Sequence, residues 1–334
     1  MKKIIAERYG GPEGLRLVEE DPPEPGHGEV RVKVLTAGAA FGDLLWMSGV
    51  VPGSPKPPFS PGYDFVGVVD KLGTGVENLA IGQRVAALVQ TGGYAEYSCW
   101  SEGDLTPIRD DIDPTHMICL TLNYVTAHAL ITRIGKLEAG QSVLVHGAGG
   151  GFGTAMLDLC QMMRIKAFGT ASQGKHELIE RMGGIHIDYK SQDFVAIVNQ
   201  EGGVDMVIDH IGGNHLARSF KCLRPGGILV STSSYAAVLG QSGTMETLGG
   251  LIRLQLWNMW PNQRSARLFD VTTFYAKNPK MYSHDLLELM NHLAAGQLNP
   301  VVDSTYRLEE GQMALEYLRA GKTRGKVVLL TEAY

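Results

Sequence analysis

"VLVHGAGGGFGTAMLDLCQ", residues 143–161, decides the fold. An apolar run enters a dense patch of glycine and leaves with helical spacing, Phe152, Ala155, Met156, Leu159 and Met163 sharing one face. Ser142–His146 reads as a strand, Thr154–Arg164 as a helix, and Gly147, Gly150 and Gly153 fall in the turn between them. A tight strand-to-helix turn needs residues without Cβ; the main chain can then approach a pyrophosphate, and the first free N–H groups of the helix point at its charge. The pattern is Ala148-x-Gly150-x-x-Gly153, with alanine at the first glycine of the dinucleotide fingerprint. A plain connection between two buried elements is the competing reading. The context favours a cofactor site, with Ala148, Gly150, Gly151, Phe152 and Gly153 as the expected diphosphate contacts.

That context is a zone of alternation. "SVLVHG", "KAFGTAS", "IHIDY", "VDMVIDH" and "GILVSTS" are short β-rich runs separated by segments of helical spacing, and "RLFDVTTF" offers a sixth strand. Such alternation predicts a parallel sheet with helices on both faces, here over 123–264. Residues 1–122 read instead as short strands between Gly/Pro turns: "GEVRVKVLTAG" alternates valine with charge, and "DFVGVVDKLG" and "RVAALV" continue the pattern. Beyond 264, "SHDLLELMNHLAAGQ" is an amphipathic helix ending at Gly296 and "GKVVLL" a closing strand. Residues 265–334 are assigned with 1–122 to a second domain.

The end of the second strand of the zone selects the cofactor. An NAD site places Asp or Glu there to accept from the ribose 2′-OH. "GTASQGKHE" has no acid between Gly169 and His176. Ser172 can donate to a 2′-phosphate, Lys175 can neutralise it, and Tyr189 can add a hydroxyl, so the expected cofactor is NADP(H). A solvated lysine beside a helix start is the alternative for Lys175.

Of 334 residues, 44% are hydrophobic and 19% charged, enough apolar material for a large interior. The net charge of −5 has no long run of either sign, which argues against nucleic acid or an anionic membrane as main partner. No stretch of about 20 uncharged apolar residues suggests a transmembrane span. Cys99, Cys119, Cys160 and Cys222 form no CxxC pair, which suits a reduced cytoplasmic chain.

"PPFSPGYDFVGVV", "GGYAEY", "LTLNYVTAHALITRIGKLEAGQSVLVHGAGGGFGTA", "GTASQGKHE", "VIDHIGG", "RPGG" and "GKVVLL" together resemble the quinone oxidoreductase branch of the medium-chain dehydrogenase/reductase superfamily, nearest its vesicle-amine-transport-protein-like subgroup. The resemblance implies an α/β chain: a Rossmann domain with a doubly wound, six-stranded parallel sheet, and a GroES-like β-rich catalytic domain. It also implies NADPH, a homodimer paired through the Rossmann sheets, and Thr126, Ile211, Ser233 and Phe274 near the cofactor. Aligned with the zinc-dependent relatives, Ala40, Tyr63 and Leu122 fall at the catalytic zinc ligands and Gly42 at the proton-relay hydroxyl. Cys119 is out of step. Zinc needs converging soft or imidazole ligands, so no metal is expected, and the histidines at 128, 146, 176, 186 and 210 are read as scattered.

Without zinc to stabilise an alkoxide, the expected chemistry is hydride transfer to an electrophilic partner, a quinone or an α,β-unsaturated carbonyl, whose oxygen then needs a donor. Tyr63 is the candidate donor, or else it only packs the cleft wall. Phe41, Leu45 and Tyr63 are read as the substrate pocket, and Asp43 as a cap for backbone N–H groups. Ala40 and Met47 stand where the family often has Asn and Arg. Trp257 and Trp260 are read as one helix face, packing the core or forming a lid or contact surface. An enoyl-thioester reductase, or an NADPH-binding protein with little turnover, is the alternative function.

Overall fold

The structure, a computed structural model, describes residues 1–50, 53–232, 244–259 and 263–334. The chain divides into two compact units, Met1–Val125 with Tyr275–Tyr334, and Thr126–Phe274.

The first unit is β-rich. Its strands are β1 (Lys2–Ala6), β2 (Leu15–Glu19), β3 (Glu29–Ala39), β4 (Asp64–Leu72), β5 (Arg84–Leu88), β6 (Tyr97–Ser101) and β7 (Thr106–Pro107). In β3, alternate valines at 30, 32 and 34 are fully buried, the period of two expected of a strand with one face on a core. A helix, Phe41–Ser48, follows β3 directly and stops at Gly49, which takes a left-handed conformation (φ 68°) closed to most side chains.

The second unit holds β8 (Ser142–His146), β9 (Lys166–Ala171), β10 (Ile185–Asp188), β11 (Val204–Asp209), β12 (Leu223–Ser231) and β13 (Ser265–Leu268). They form one parallel sheet in the order β10-β9-β8-β11-β12-β13. The order reverses beside β8, which places the crevice of a doubly wound sheet at the carboxyl ends of β8 and β11. Only the start of "RLFDVTTF" lies in a strand. Asp270 then accepts from Thr272 Oγ1 (2.8 Å) and Thr273 N (2.7 Å), and the chain turns into the helix Val271–Ala276. The helix after β8 runs Gly151–Met162, so it begins three residues before the expected Thr154.

The chain closes back in the first unit with β14 (Val302–Arg307) and β15 (Lys326–Leu330). Its larger sheet runs β14-β15-β3-β4-β5-β7, with β6 also pairing on β3. Ahead of β14 lies the amphipathic helix Pro279–Ala294, and Gly296 (φ 69°) follows it.

Pro114–Gly135 is one helix long and apolar enough to cross a membrane by length and composition, a looser measure than an uncharged run. It is mostly inside the fold: Met117, Ile118, Leu120, Leu130 and Ile131 are fully buried. Trp257, on helix Thr244–Met259, stacks on Phe220 at 4.2 Å, which gives it a packing role; Trp260 lies outside the described residues.

Candidate cofactor and acceptor sites

At the glycine turn, Gly147 is left-handed (φ 65°) and Gly150 is the N-cap of helix Gly151–Met162 without a side-chain hydrogen bond. That helix start has no side-chain cap, the arrangement that leaves main-chain N–H groups for an anion. A Cβ on Gly153 would come within 2.5 Å of the Ala148 main chain, so the first helical turn packs on the loop only with glycine there. A Cβ on Gly169 would likewise lie 2.6 Å from Ala148 Cβ.

Lys175 reaches this turn from the end of β9. A Cβ on Gly149 would lie 2.5 Å from Lys175 Cδ, so the aliphatic stem crosses Gly149. Ser172 opens the short helical turn Gln173–Lys175, and the Tyr189 N–H donates to Ala171 O (3.3 Å), although the Tyr189 side chain is exposed. On the other side, His210 Nε2 lies against Gly147, and the Phe152 ring meets the His210 ring edge-on at 6.4 Å. The structure thus brings Ala148–Gly153, Lys175 and the Ile211 loop to one rim. Thr126 is buried, and Phe274 packs on Phe269 at 5.2 Å. Ser233 lies outside the described residues.

Beneath the rim is a buried polar cluster that the sequence reading missed. Asp209 Oδ1 accepts from Ile211 N (2.8 Å) and Gly212 N (3.0 Å), and its Oδ2 accepts from His215 Nδ1 (2.7 Å) and Ser219 Oγ (2.6 Å). His146 lies between Thr170 Oγ1 (2.9 Å) and Ser219 Oγ (3.0 Å). Burial pushes the His146 imidazole down to about 3, so it is neutral at pH 7. Burial opposes ionisation of Asp209, but its hydrogen bonds and the neighbouring imidazoles outweigh it and hold the carboxyl well below the usual range. The histidines are therefore not scattered: His215 bonds Asp209 directly, His146 reaches it through Ser219, and His176 and His186 place their Nδ1 atoms 3.2 Å apart. Only register and helix packing bring these residues together, so no local pattern could have found them.

In the first unit, Asp43 organises the segment that carries Phe41, Leu45 and Tyr63. Its Oδ2 accepts from Ala40 N (2.9 Å) and the Tyr94 hydroxyl (2.8 Å), and its Oδ1 from Gly62 N (2.8 Å). Burial pushes this carboxyl up to about 6 against the pull of those three donors. Tyr63 is nearly buried, stacks on Trp46 at 6.4 Å, and has Gly42 against its ring face. Trp46 Nε1 is buried and has no hydrogen-bond partner among the described residues.

The residues at the zinc positions of the metal-dependent relatives do not fit a zinc ion. Ala40 and Leu122 offer no ligand atom, and Tyr63 is a lone phenol. Cys119 donates to Thr115 O (3.4 Å), and burial pushes its thiol up to about 12. Asp64, beside Tyr63 in sequence, is held by Lys326 at 2.9 Å. Two groups of three potential ligands do occur among the described residues: His146, Asp209 and His215, and His284, Asp285 and Glu288. Neither contains a residue at the aligned zinc positions.

Comparison with known proteins agrees with this architecture. Residues 26–110 match the alcohol dehydrogenase GroES-like domain family, and residues 184–329 a family described as zinc-binding dehydrogenase. The mouse synaptic vesicle membrane protein VAT-1 homolog-like is 30% identical over 99% of this chain and 82% of its own length. A 2-haloacrylate reductase from Burkholderia sp is 29% identical over 98% of both chains. A mycobacterial protein solved in complex with NADPH superposes with a TM-score of 0.86, at 25% identity over 99% of this chain and all of that one. The chain belongs to the medium-chain dehydrogenase/reductase superfamily of oxidoreductases, in the branch that holds the quinone oxidoreductases and the VAT-1 homologs.

Proposed function

We propose that the protein is an NADPH-dependent reductase of quinones or α,β-unsaturated carbonyl compounds that works without a catalytic metal. The observation that carries the cofactor choice is Lys175. It lies across Gly149 of the glycine turn, at a strand end without a carboxylate to repel a 2′-phosphate. The cofactor supplies a hydride when bound. The main-chain N–H groups at Gly151–Gly153 hold the diphosphate, Ser172 and Lys175 hold the extra phosphate, and the Ile211 loop closes the rim beside them.

On the acceptor side, hydride addition to an electron-poor carbon leaves negative charge on the conjugated oxygen. The Tyr63 hydroxyl donates a hydrogen bond to that oxygen, and solvent supplies the final proton. Trp46 Nε1, buried and unpartnered, offers a second donor on the same segment. The similarity to a 2-haloacrylate reductase supports an activated alkene as acceptor. We also propose a homodimer: β13 is the last strand of the parallel sheet, and Leu268 on it is exposed. Size-exclusion with light scattering reads that directly.

The test is NADPH oxidation with a panel of quinones, enones, 2-haloacrylate and enoyl thioesters. Turnover of the first three classes is expected. Thioester turnover alone would make the protein an enoyl-thioester reductase, and tight NADPH binding without any turnover would make it a binding protein. Tyr63→Phe should slow turnover about 100-fold, the lower end of the range for losing one oxyanion donor, and leave NADPH affinity unchanged. Unchanged turnover would return Tyr63 to packing.

A further inference from the structure

Four neighbouring strands of the parallel sheet carry polar residues at one level near their carboxyl ends: Thr170 on β9, His146 on β8, Asp209 on β11 and Ser231 on β12. His146 pairs with Thr170 and Asp209 with Ser231, and β11 stays in register with β8 up to Ile208 opposite Val145. Two residues earlier in each strand stand Phe168, Leu144, Val207 and Leu229, all in one apolar core cluster. A period of two therefore puts the polar row on the same buried face, one layer above that core. Unsatisfied polar groups in this position would be costly.

Their hydrogen bonds run in one direction. Asp209 is ionised, so Ser219 gives its single proton to Oδ2. Ser219 Oγ must then accept from His146 Nε2, which fixes the tautomer and leaves His146 Nδ1 to accept from the Thr170 hydroxyl. The donations run Thr170 to His146 to Ser219 to Asp209, whose Oδ1 also accepts from the N–H groups of Ile211 and Gly212. A neutral His146 is required throughout, and its burial provides it.

Three members of the row stand just before a loop of the rim. Thr170 precedes Ser172 and Lys175, His146 the glycine turn, and Asp209 precedes Ile211. We propose that this hydrogen-bond chain is a positioning device that fixes the phosphate-side and Ile211 loops at one mutual spacing, so that the two ends of NADPH bind cooperatively. The inference rests on the dinucleotide reading above. Thr170, His146, Ser219 and Asp209 are positioning residues in it; none needs to touch the ligand.

Half-ligands separate the two ends. The probes are 2′,5′-ADP for the phosphate side and reduced nicotinamide mononucleotide for the other, titrated alone and together. In the native protein, saturating 2′,5′-ADP should tighten the mononucleotide about fivefold or more, an ordinary coupling between sites. Thr170→Val, nearly isosteric, should reduce that enhancement to below about twofold, and Thr170→Ser should restore it. Ser219→Ala cuts the chain at its middle and should act like Thr170→Val. Val198→Ala weakens the same core without touching the chain and should leave the enhancement intact. Full enhancement in Thr170→Val, no enhancement in the native protein, or equal loss in Val198→Ala would overturn the proposal. A native protein that binds no NADPH sinks the dinucleotide reading first, whereas tight NADPH binding with uncoupled halves sinks only this inference.

Discussion

Lys175 and Asp43 are the two single residues on which most depends, and they differ in how legible they are. Lys175 stood out because the pattern around it is local: a strand end, no acid, one cation. Removing its charge-assisted contact should cost NADPH about 1.5–3 kcal/mol, roughly 10- to 100-fold in Kd, and leave NADH nearly unaffected. Calorimetric titration of Lys175→Ala with both cofactors checks this, and equal losses would show that the lysine does not read the 2′-phosphate. For Asp43, a capping role was readable, but Gly62 and Tyr94 as partners were not, since folding alone brings them near. Its folded carboxyl sits at about 6 against an ordinary 3.8. Its contribution to stability is therefore full below about pH 4 and lost as pH rises through about 6, a change on the order of 3 kcal/mol. Urea unfolding from pH 4 to 7 should show that decline, and Asp43→Asn should flatten it in the difference profile. An identical slope in the variant would place the titrating group elsewhere.

The strand–turn–helix Ser142–Met162 shows what one element reveals and what it withholds. Its glycines announced the turn, but the helix was expected to start at Thr154 because glycine is a poor helix former. Packing overrides that preference: the first turn lies on Ala148, where a side chain at Gly153 would strike the main chain. Gly153→Ala should therefore lower stability by about 1–3 kcal/mol through overpacking, and NADPH affinity should fall with the displaced turn. Gly249→Ala is the contrast, since beyond its own helix backbone no atom of the described residues lies within 4 Å of its added Cβ in the helix Thr244–Met259. It should be neutral or stabilising by up to about 1 kcal/mol. Thermal melts and NADPH titrations of both variants decide this; a Gly153→Ala variant as stable as Gly249→Ala would mean that helix propensity, not the close approach, governs Gly153. The polar row at the strand ends was hidden for the opposite reason. Thr170, His146 and Asp209 look unrelated along the chain, and only the order β9-β8-β11 makes them neighbours.

The whole molecule is organised by a chain that leaves its first unit and returns to it. The rhythm of β runs and turns marked two regions, and the resemblance supplied the return of the C-terminal segment. Neither could show what fastens it. The fastening is Lys326 on β15, buried with its Nζ 2.9 Å from Asp64 Oδ2 and 3.1 Å from Asn123 Oδ1. Thr121 Oγ1 adds a second contact to Asp64 at 2.9 Å. A pair this deep gains little over well-packed apolar residues, but breaking one side leaves an uncompensated charge. Lys326→Met should therefore cost about 3–5 kcal/mol, and the double variant Lys326→Met/Asp64→Leu should recover part of that loss. Because Lys326 and all its partners belong to one compact unit, the damage should be confined. Hydrogen exchange should quicken across Met1–Val125 and Tyr275–Tyr334 and stay near native in Thr126–Phe274, where the parallel sheet is complete without the returning strands. Uniform quickening through both units would show instead that the two unfold as one, and that the closing strand holds the entire chain.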